Sequence, residues 1–592
     1  MTAAAYLSFT VIIVLRVRAN TATEGKILLQ SSSTFGYNLY QGHSRFITVN
    51  ISAVTPTTPL FIIPTMSSGD ENHQGTDSGG YSNTINGDDR GTTSLAHDSL
   101  TAEVDVWTSS HRSCGILEGC FKKLIFAIFS CIIGSSFQFG YHTGVVNLPQ
   151  TIFEHFINDS IYYHQKKYVS AKTLPVIWGF TVSIYCVGGM IGGLLVSQLT
   201  QKFGRKQTLL LNNIPTVVAL ALMCFSQIAY SFEMIIVGRF IMGISAGVST
   251  SVAPMYLSEI APLHMRGVIS TINQCAILMG IIVSQIMGLQ SVIGNKNLWP
   301  LIFGVSIIPV IIQMLSLPWC PETPHHLIMH DEDEAEASLV WLRGTHDVGY
   351  ELEELRVIKE ESKHKPRTTF NDLFRKPHLR KPLFIVIMMM LSQQLSGINA
   401  VTFYSTSIFR SVKLSQNIAQ LATILITVLN LLVTSASAVL IDRLGRRMLH
   451  LTGMQGMFFS SIVVIVGIVL KQKASWLPYL TVAGICLYII FFAIGPGSIP
   501  WFIGAEIFLQ GPRDVAMSIG VTVNWLANFL VGIAYPPLQK AIGGYSFLPF
   551  TIFLFLFSIY TYFKVPETKG RKVEDTVAEF VREENSQARV LL

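Results

Sequence analysis

The chain has 592 residues, of which 50% are hydrophobic and 13% are charged, and its mean hydropathy is +0.46. This balance excludes a soluble globular chain and indicates an integral membrane protein. The net charge of +6 is no sign of nucleic-acid binding, because the basic residues are distributed around membrane ends and not along one polar face.

The first predicted segment, residues 1–115, is rich in Ser, Thr, Gly and Asn, and this composition is typical of a disordered tail. An apolar stretch at 3–15 is too short to span a bilayer and lacks a basic flank, which disfavours a signal peptide. A second stretch at 46–69 contains three prolines, so we do not count it as a span.

Twelve stretches without charged side chains follow, six before and six after a charged interval. The shortest has nineteen residues, and at about 1.5 Å per residue each is long enough to be a membrane-spanning helix. They are 124–153, 173–201, 207–232, 240–258, 267–295, 297–321, 382–409, 414–441, 448–470, 474–505, 515–539 and 541–563.

These stretches predict an all-α membrane protein. Its domains are a first six-helix bundle at 120–318, a charged helical linker at 319–381, a second bundle at 382–565 and a C-terminal tail at 566–592. If the first span begins in the cytoplasm, 24 basic residues lie inside and 9 outside, which places both termini and the linker in the cytoplasm. The linker has either a passive connecting role or a regulatory one.

Three short motifs recur at nearly the same offset in both bundles, which predicts duplicated, pseudo-symmetric halves. They are PET at 321–323 and 566–568, an acid and a base seven residues apart at 259–266 and 506–513, and GR at 204–205 and 445–446.

All of these charged motifs lie at the predicted cytoplasmic ends of spans. Ion pairs there would hold the halves together in one conformation and break in another, which makes them a candidate gate. Simple anchoring by basic side chains is the alternative. The gate candidates are Glu259, Arg266, Glu506, Arg513, Arg205, Asp442, Arg446, Arg447, Glu322 and Glu567.

Inside the spans, the informative side chains are amides together with one aromatic residue that follows a broken helix. Amides both donate and accept hydrogen bonds, which suits a neutral, polyhydroxylated ligand, although each amide could instead cross-link helices. Glycines and prolines at 397 and 495–500 predict broken helices beside this cavity. The candidates are Gln274, Gln393, Gln394, Asn399, Asn430, Asn524 and Trp501.

No hydrolytic, phosphate-binding or dinucleotide-binding motif is present in the sequence, so we expect no enzyme activity and no cofactor. The eight cysteines have neither metal-ligand nor CxxC spacing, and we expect no metal site. The expected partners are a small-molecule substrate and the lipid bilayer.

Over residues 120–575 the sequence resembles the facilitative hexose transporters, in the sugar porter branch of the major facilitator superfamily, and the shared motifs occur in the same order. The motifs that carry the resemblance are QFGYHTGVVN, GRFIMG, PMYLSEIAPLHMRG, QQLSGINAVTFYSTSIF, DRLGRR, GPGSIPWF, NWLANF and YFKVPETKGR. The resemblance implies alternating access of two bundles around a central sugar site in the plasma membrane. It assigns the sugar contacts to the seven residues above, and QLS at 394–396 with Trp501 favours glucose over fructose.

The sequence departs from the family pattern at several positions. Ala493 replaces a carboxylate near the sugar site, and His325 replaces an arginine of the gate network. His142 stands where facilitative relatives carry Asn and proton-coupled ones Asp, opposite Arg239. We expect His142 to be neutral and hydrogen-bonded, which fits a uniporter. A proton-coupled symporter and a transporter-like sugar sensor are the alternative functions. Asn158 in Asn-Asp-Ser matches the family's glycosylation site.

Overall fold

A computed structural model describes residues 122–262, 265–364, 369–571 and 573–591, without the side chains of 361–364, 438–439, 441–442, 510 and 583–591. The predicted tail at 1–115 and the side chain of Asp442 lie outside the described residues.

Eleven α-helices lie between residues 122 and 364 of the described chain. Their bounds are α1 (Lys122–Gly144), α2 (Gln150–Gln165), α3 (Leu174–Leu211), α4 (Asn213–Phe225), α5 (Glu233–Ile260), α6 (Arg266–Met287), α7 (Pro300–Gly304), α8 (Ile307–Ser316), α9 (Pro324–Leu327), α10 (Glu332–Arg343) and α11 (Gly349–His364).

Ten more α-helices follow in the rest of the described chain. They are α12 (Phe370–Arg375), α13 (Pro377–Leu395), α14 (Ile398–Ser411), α15 (Gln416–Leu444), α16 (Arg446–Val469), α17 (Leu477–Ile494), α18 (Ile499–Ile507), α19 (Gln510–Ile542), α20 (Leu548–Lys564) and α21 (Val573–Leu591).

Ten helical stretches of the described chain are long and apolar enough to cross a membrane. Two of them, Leu174–Phe225 and Gly511–Lys564, have 52 and 54 residues, more than twice the roughly 20 needed for one crossing. Each is interrupted near its middle by a glycine with positive φ, Gly204 at 79° and Gly543 at 54°. Each stretch therefore supplies two crossings. The predicted all-α architecture of twelve membrane helices is confirmed.

Small residues bring the two halves into close contact between α3 and α19. A side chain on Gly179 would lie 2.9 Å from the carbonyl oxygen of Ile533, and one on Gly189 would lie 2.7 Å from the ring of Trp525. Because glycine leaves the backbone bare, the two helices approach more closely than bulky side chains would allow.

We call the end of the bundle that carries α9–α12 the linker face. Here the duplicated Gly-Arg motifs build the same structure twice. The backbone amide of Arg205 donates to Glu322 (3.0 Å), and that of Arg446 donates to Glu567 (2.9 Å). In both motifs the preceding glycine has positive φ, 79° at Gly204 and 92° at Gly445. Each glutamate thus accepts from backbone N–H groups at the start of a helical segment, where a negative charge is favoured.

Candidate functional site

The seventh membrane crossing is broken in the middle of the second bundle. Helix α13 ends at Leu395 and α14 begins at Ile398, with Gly397 between them at φ 90°. The hydroxyl of Tyr488 donates to the carbonyl of Ser396, and a side chain on Gly397 would lie 2.5 Å from the ring of Phe550. The hydrogen bond from Tyr488 and the packing of the Phe550 ring therefore both stabilise the break, and the ring fits there because residue 397 is a glycine.

Four of the predicted amides meet at this break and are buried. Gln394 donates to Gln393 (3.2 Å) and to Asn524 (2.9 Å), and Asn524 donates back to Gln393 (2.8 Å). Asn399 donates to Gln394. We call Gln393, Gln394, Asn399 and Asn524 the amide cluster. It joins the seventh and eleventh crossings through hydrogen-bonding groups without net charge.

The tenth crossing is broken beside the amide cluster. Helix α17 ends at Ile494 and α18 begins at Ile499, and the carbonyls of Pro496 and Gly497 accept from Gln393 Nε2 at 2.9 and 2.8 Å. Backbone carbonyls freed by a helix break are acceptors that a hydroxylated ligand can also use.

The remaining predicted contacts do not join the amide cluster through hydrogen bonds. Gln274 is half-buried on α6, and no hydrogen bond of its side chain is recorded in the described residues. Asn430 accepts from Thr434 within α15 (3.2 Å). Trp501 packs against an apolar core cluster of the second bundle, and Ala493 is buried in α17. The structure thus gathers four of the seven candidates.

Two residues next to the cluster were missed in the sequence reasoning. His450 is fully buried on α16, and its Nε2 lies 3.3 Å from the hydroxyl of Ser392, the residue before Gln393. Tyr488 holds the helix break, as described above. An imidazole within a charge-free span was a visible signal for His450, whereas the role of Tyr488 depends on helix packing alone.

His142 and Arg239 meet in the first bundle through the backbone carbonyl of His142, which accepts from Arg239 Nη1 at 2.7 Å. The second guanidinium nitrogen donates to the carbonyl of Val182 (3.0 Å), and the group lies 4.6 Å from the ring centre of Tyr185. No carboxylate contacts either residue in the described part of the chain. Carbonyls and an aromatic face therefore stabilise this buried cation.

The surroundings of His142 favour a neutral imidazole. Its Nε2 lies 3.2 Å from the hydroxyl of Ser306 and 3.5 Å from the amide nitrogen of Gln138. The buried Nδ1 has no partner. An imidazolium here would bury a second N–H without an acceptor and would lie beside the Arg239 guanidinium, so the neutral form is favoured.

The gate candidates form two matching ion pairs, one within each half. Arg205 pairs with Glu259 (3.0 Å) and Arg446 with Glu506 (2.9 Å). These pairs tie helices of the same bundle together, which differs from the expectation that they join one bundle to the other. Arg447 donates to the carbonyl of Tyr562, away from the acidic residues.

The first pair includes a histidine that sequence reasoning did not select. Arg205 Nη1 lies 3.1 Å from His326 Nδ1, which must accept because a guanidinium can only donate. Burial lowers the pKa of His326, which favours this accepting, neutral form.

Arg266 and Arg513 do not form ion pairs in the described chain. Arg266 is exposed at the start of α6, and Arg513 is half-exposed next to Asp514 near the start of α19. Arg266 follows Glu259 by seven residues and Arg513 follows Glu506 by seven. In both cases one helix ends and the next begins between the acid and the base. The helix ends therefore decide which arginine reaches each carboxylate.

Removing the paired arginine should destabilise the linker face more than removing the unpaired one. Arg205→Gln loses both hydrogen bonds to Glu259 and leaves that half-buried carboxylate without its cation, at a cost of about 1–2 kcal/mol. Arg266→Gln is the matched control and should leave stability unchanged. Thermal unfolding of the purified protein measures both. An equal loss in the two variants would contradict this assignment.

At the face opposite the linker, Asn147 connects the two halves. Its Nδ2 donates to the carbonyl of Thr402 (2.6 Å) and to the hydroxyl of Ser405 (2.8 Å), and its Oδ1 accepts from the amide of Thr406 (3.2 Å). The side chain is fully buried. These three bonds join the two halves at this face.

The glycosylation candidate Asn158 lies near this same face, on α2. Its Oδ1 accepts from the backbone amide of Val169 at 3.0 Å, and its side chain is half-buried. Its Nδ2, the atom to which a glycan would be attached, forms no hydrogen bond with the described residues.

Known proteins are similar to this chain in sequence and in fold. The family model for sugar (and other) transporters matches residues 127–580. The facilitated glucose transporter member 3 of solute carrier family 2 from Ovis aries is 43% identical over 459 residues, which cover 77% of this chain and 92% of that protein. Member 1 from Gallus gallus is 42% identical over 460 residues, covering 77% and 93%.

Among solved structures, the inward-open xylose transporter XylE from E. coli matches with a TM-score of 0.64 at 23% identity, covering 78% of this chain and 99% of that chain. This likeness shows the fold of the major facilitator transporters. The long match to the family model and the 42–43% identity across nearly the whole of two relatives place the chain in a family: it belongs to the sugar transporters, within the facilitated glucose transporters of solute carrier family 2.

Proposed function

We propose that this protein carries a hexose, with glucose favoured, across the plasma membrane by facilitative uniport. The observation that carries the proposal is the buried amide cluster, which lies at two helix breaks in the second bundle and donates to the backbone carbonyls that one break frees from helical hydrogen bonding. Its groups are neutral donors and acceptors, the chemistry that recognises sugar hydroxyls. The names of the relatives, facilitated glucose transporters, support the choice of sugar.

The proposed site comprises the amide cluster with Gln274, Asn430 and Trp501, which line the same path through the bundle in the family pattern. In the present conformation the cluster's amides bond to one another. A sugar hydroxyl would replace these internal bonds one for one, so binding need leave no polar group unpaired.

The proposed cycle uses two closures. Asn147 closes one face, and the paired charges stiffen each half at the other, with the predicted domain boundaries marking the two moving bodies. The excess of basic residues supports a cytoplasmic location for the linker face, both termini and the C-terminal tail, and an external one for Asn158, where it could carry a glycan.

Uptake into proteoliposomes tests the function. We expect labelled glucose to equilibrate across the membrane and to exchange in counterflow, with weaker exchange of galactose and fructose. No glucose exchange by a folded protein would overturn the proposal. Equal exchange of all three sugars would leave a hexose carrier but remove the preference for glucose.

The alternative of proton symport depends on His142. Because its imidazole lies beside a buried guanidinium and contacts no carboxylate among the described residues, we expect an imposed proton gradient to drive no glucose accumulation. His142→Asn should keep equilibrative uptake, and His164→Asn, at an exposed histidine, is the control. Accumulation above equilibrium that His142→Asn abolishes would establish symport instead.

A further inference from the structure

An amphipathic surface at the linker face precedes the seventh crossing. On the short helix α12, Phe370 and Phe374 lie one turn apart and are 56% and 53% exposed, while Leu373 is fully buried. Thr369 and Asp372 cap the helix reciprocally, which orders its first turn. Helix α12 is thus fixed to the second bundle by one side and exposes two aromatic rings on the adjacent side.

The next helix fixes the depth of this surface in the membrane. Phe384 lies in the crossing formed by α13 and is 56% exposed, so it faces lipid. Arg380 lies four residues earlier on the same side of the helix, about 6 Å closer to the linker face. This position is where a basic side chain reaches the lipid headgroups.

Two cations beside this surface have no acidic partner among the described residues. Arg375 and Arg380 are exposed, and no acidic partner is recorded for either in the described part of the chain. Lys376 lies 3.4 Å from Asp372, which leaves the two arginines as the uncompensated charges. A guanidinium binds phosphate oxygens with two parallel hydrogen bonds, which suits phospholipid headgroups.

We propose that α12 and the first turn of α13 form a binding site for an anionic phospholipid. Arg375 and Arg380 bind the headgroup, and Phe370, Phe374 and Phe384 contact the acyl chains and the interface. Exposed aromatic rings next to cations that lack an acidic partner among the described residues are what an anionic bilayer surface recognises. A soluble acidic peptide would meet the charges but leave Phe384 in the hydrocarbon unmatched.

The site bears on transport because α13 also carries Gln393 and Gln394 and ends at the helix break. A lipid bound at its first turn anchors this helix to the membrane surface while the bundles move. We therefore expect anionic lipid to raise the rate of uptake. Binding of the lipid depends on the membrane fold and not on which sugar is transported.

The experiment titrates the purified full chain in neutral detergent with short-chain phosphatidylserine or phosphatidylcholine and follows the melting temperature. Phosphatidylserine should stabilise the wild type. Arg375→Gln/Arg380→Gln should need about 30-fold more of it, the loss expected for two surface cations. Lys166→Gln/Lys167→Gln removes two exposed charges elsewhere and should behave as the wild type.

Two further variants keep the test decisive. Arg375→Lys/Arg380→Lys preserves charge and should retain most of the response, and Phe370→Ser/Phe374→Ser should weaken it. If the double glutamine variant does not fold, Arg380→Gln alone should still show a partial loss. An equal response to both lipids, or the same loss in Lys166→Gln/Lys167→Gln, would overturn the proposal. Stabilisation by a soluble acidic peptide but not by phosphatidylserine would overturn it in favour of a protein partner.

Discussion

Replacing Gln393 by leucine is expected to weaken glucose binding by roughly 5-fold to 150-fold, equivalent to about 1–3 kcal/mol. Gln393 makes four hydrogen bonds, two to the carbonyls of Pro496 and Gly497 and two from Gln394 and Asn524. A leucine side chain has a similar volume but leaves those partners unpaired, and it can neither donate a hydrogen bond to a sugar hydroxyl nor accept one from it. The concentration dependence of glucose counterflow in proteoliposomes measures the effect.

Gln285→Leu is the matched control for this prediction. Gln285 is also a buried amide, on α6 of the first bundle, but its side-chain oxygen makes no hydrogen bond in the structure. Its replacement should leave glucose affinity close to that of the wild type. Unchanged affinity in Gln393→Leu, with the protein folded, would remove this residue from the proposed sugar site.

Replacing Gly397 by alanine is expected to reduce transport severely while the protein still inserts in the membrane. The positive φ of 90° costs an alanine about 1–2 kcal/mol, and the added carbon would lie 2.5 Å from the ring of Phe550. The break must shift to relieve this overlap, and the shift displaces Gln394 and Asn399 on either side of it. Initial rates of glucose uptake measure the loss.

A second substitution separates the two causes. Phe550→Ala in the Gly397→Ala background removes the ring but not the backbone strain, so we expect partial recovery of uptake. Phe550→Ala alone serves as the control, since it leaves Gly397 unchanged. Full recovery would assign the whole effect to the collision, and no recovery would assign it to the backbone conformation.

The membrane architecture could be predicted from the sequence because hydrocarbon imposes simple conditions. A span must be about 20 residues long and nearly free of charge, and a duplicated chain repeats its end motifs at one offset. Charge-free stretches therefore located all twelve crossings, and the recurrence of PET and Gly-Arg revealed the two halves. The breaks at Gly397 and Gly495–Ser498 were also visible, because glycine and proline interrupt helices.

The tertiary structure decided which of the predicted polar residues meet. Spacing along the chain places a residue on a helix but fixes neither the rotation of that helix nor the neighbour it crosses. Gln393 and Asn524 are far apart in sequence and touch because the seventh and eleventh crossings pack together, whereas Gln274 has an equally suitable side chain and bonds to none of the cluster.

The charged motifs show the same division. The sequence by itself determined that acids and bases gather at one end of the spans, because charges are expelled from hydrocarbon. Only the packed helices decided that Arg205 and Arg446 take the carboxylates within their own halves, that Glu322 and Glu567 bind backbone amides, and that Arg266 stays exposed. Ion pairs act over a few ångströms, and distances of that size are set by tertiary packing.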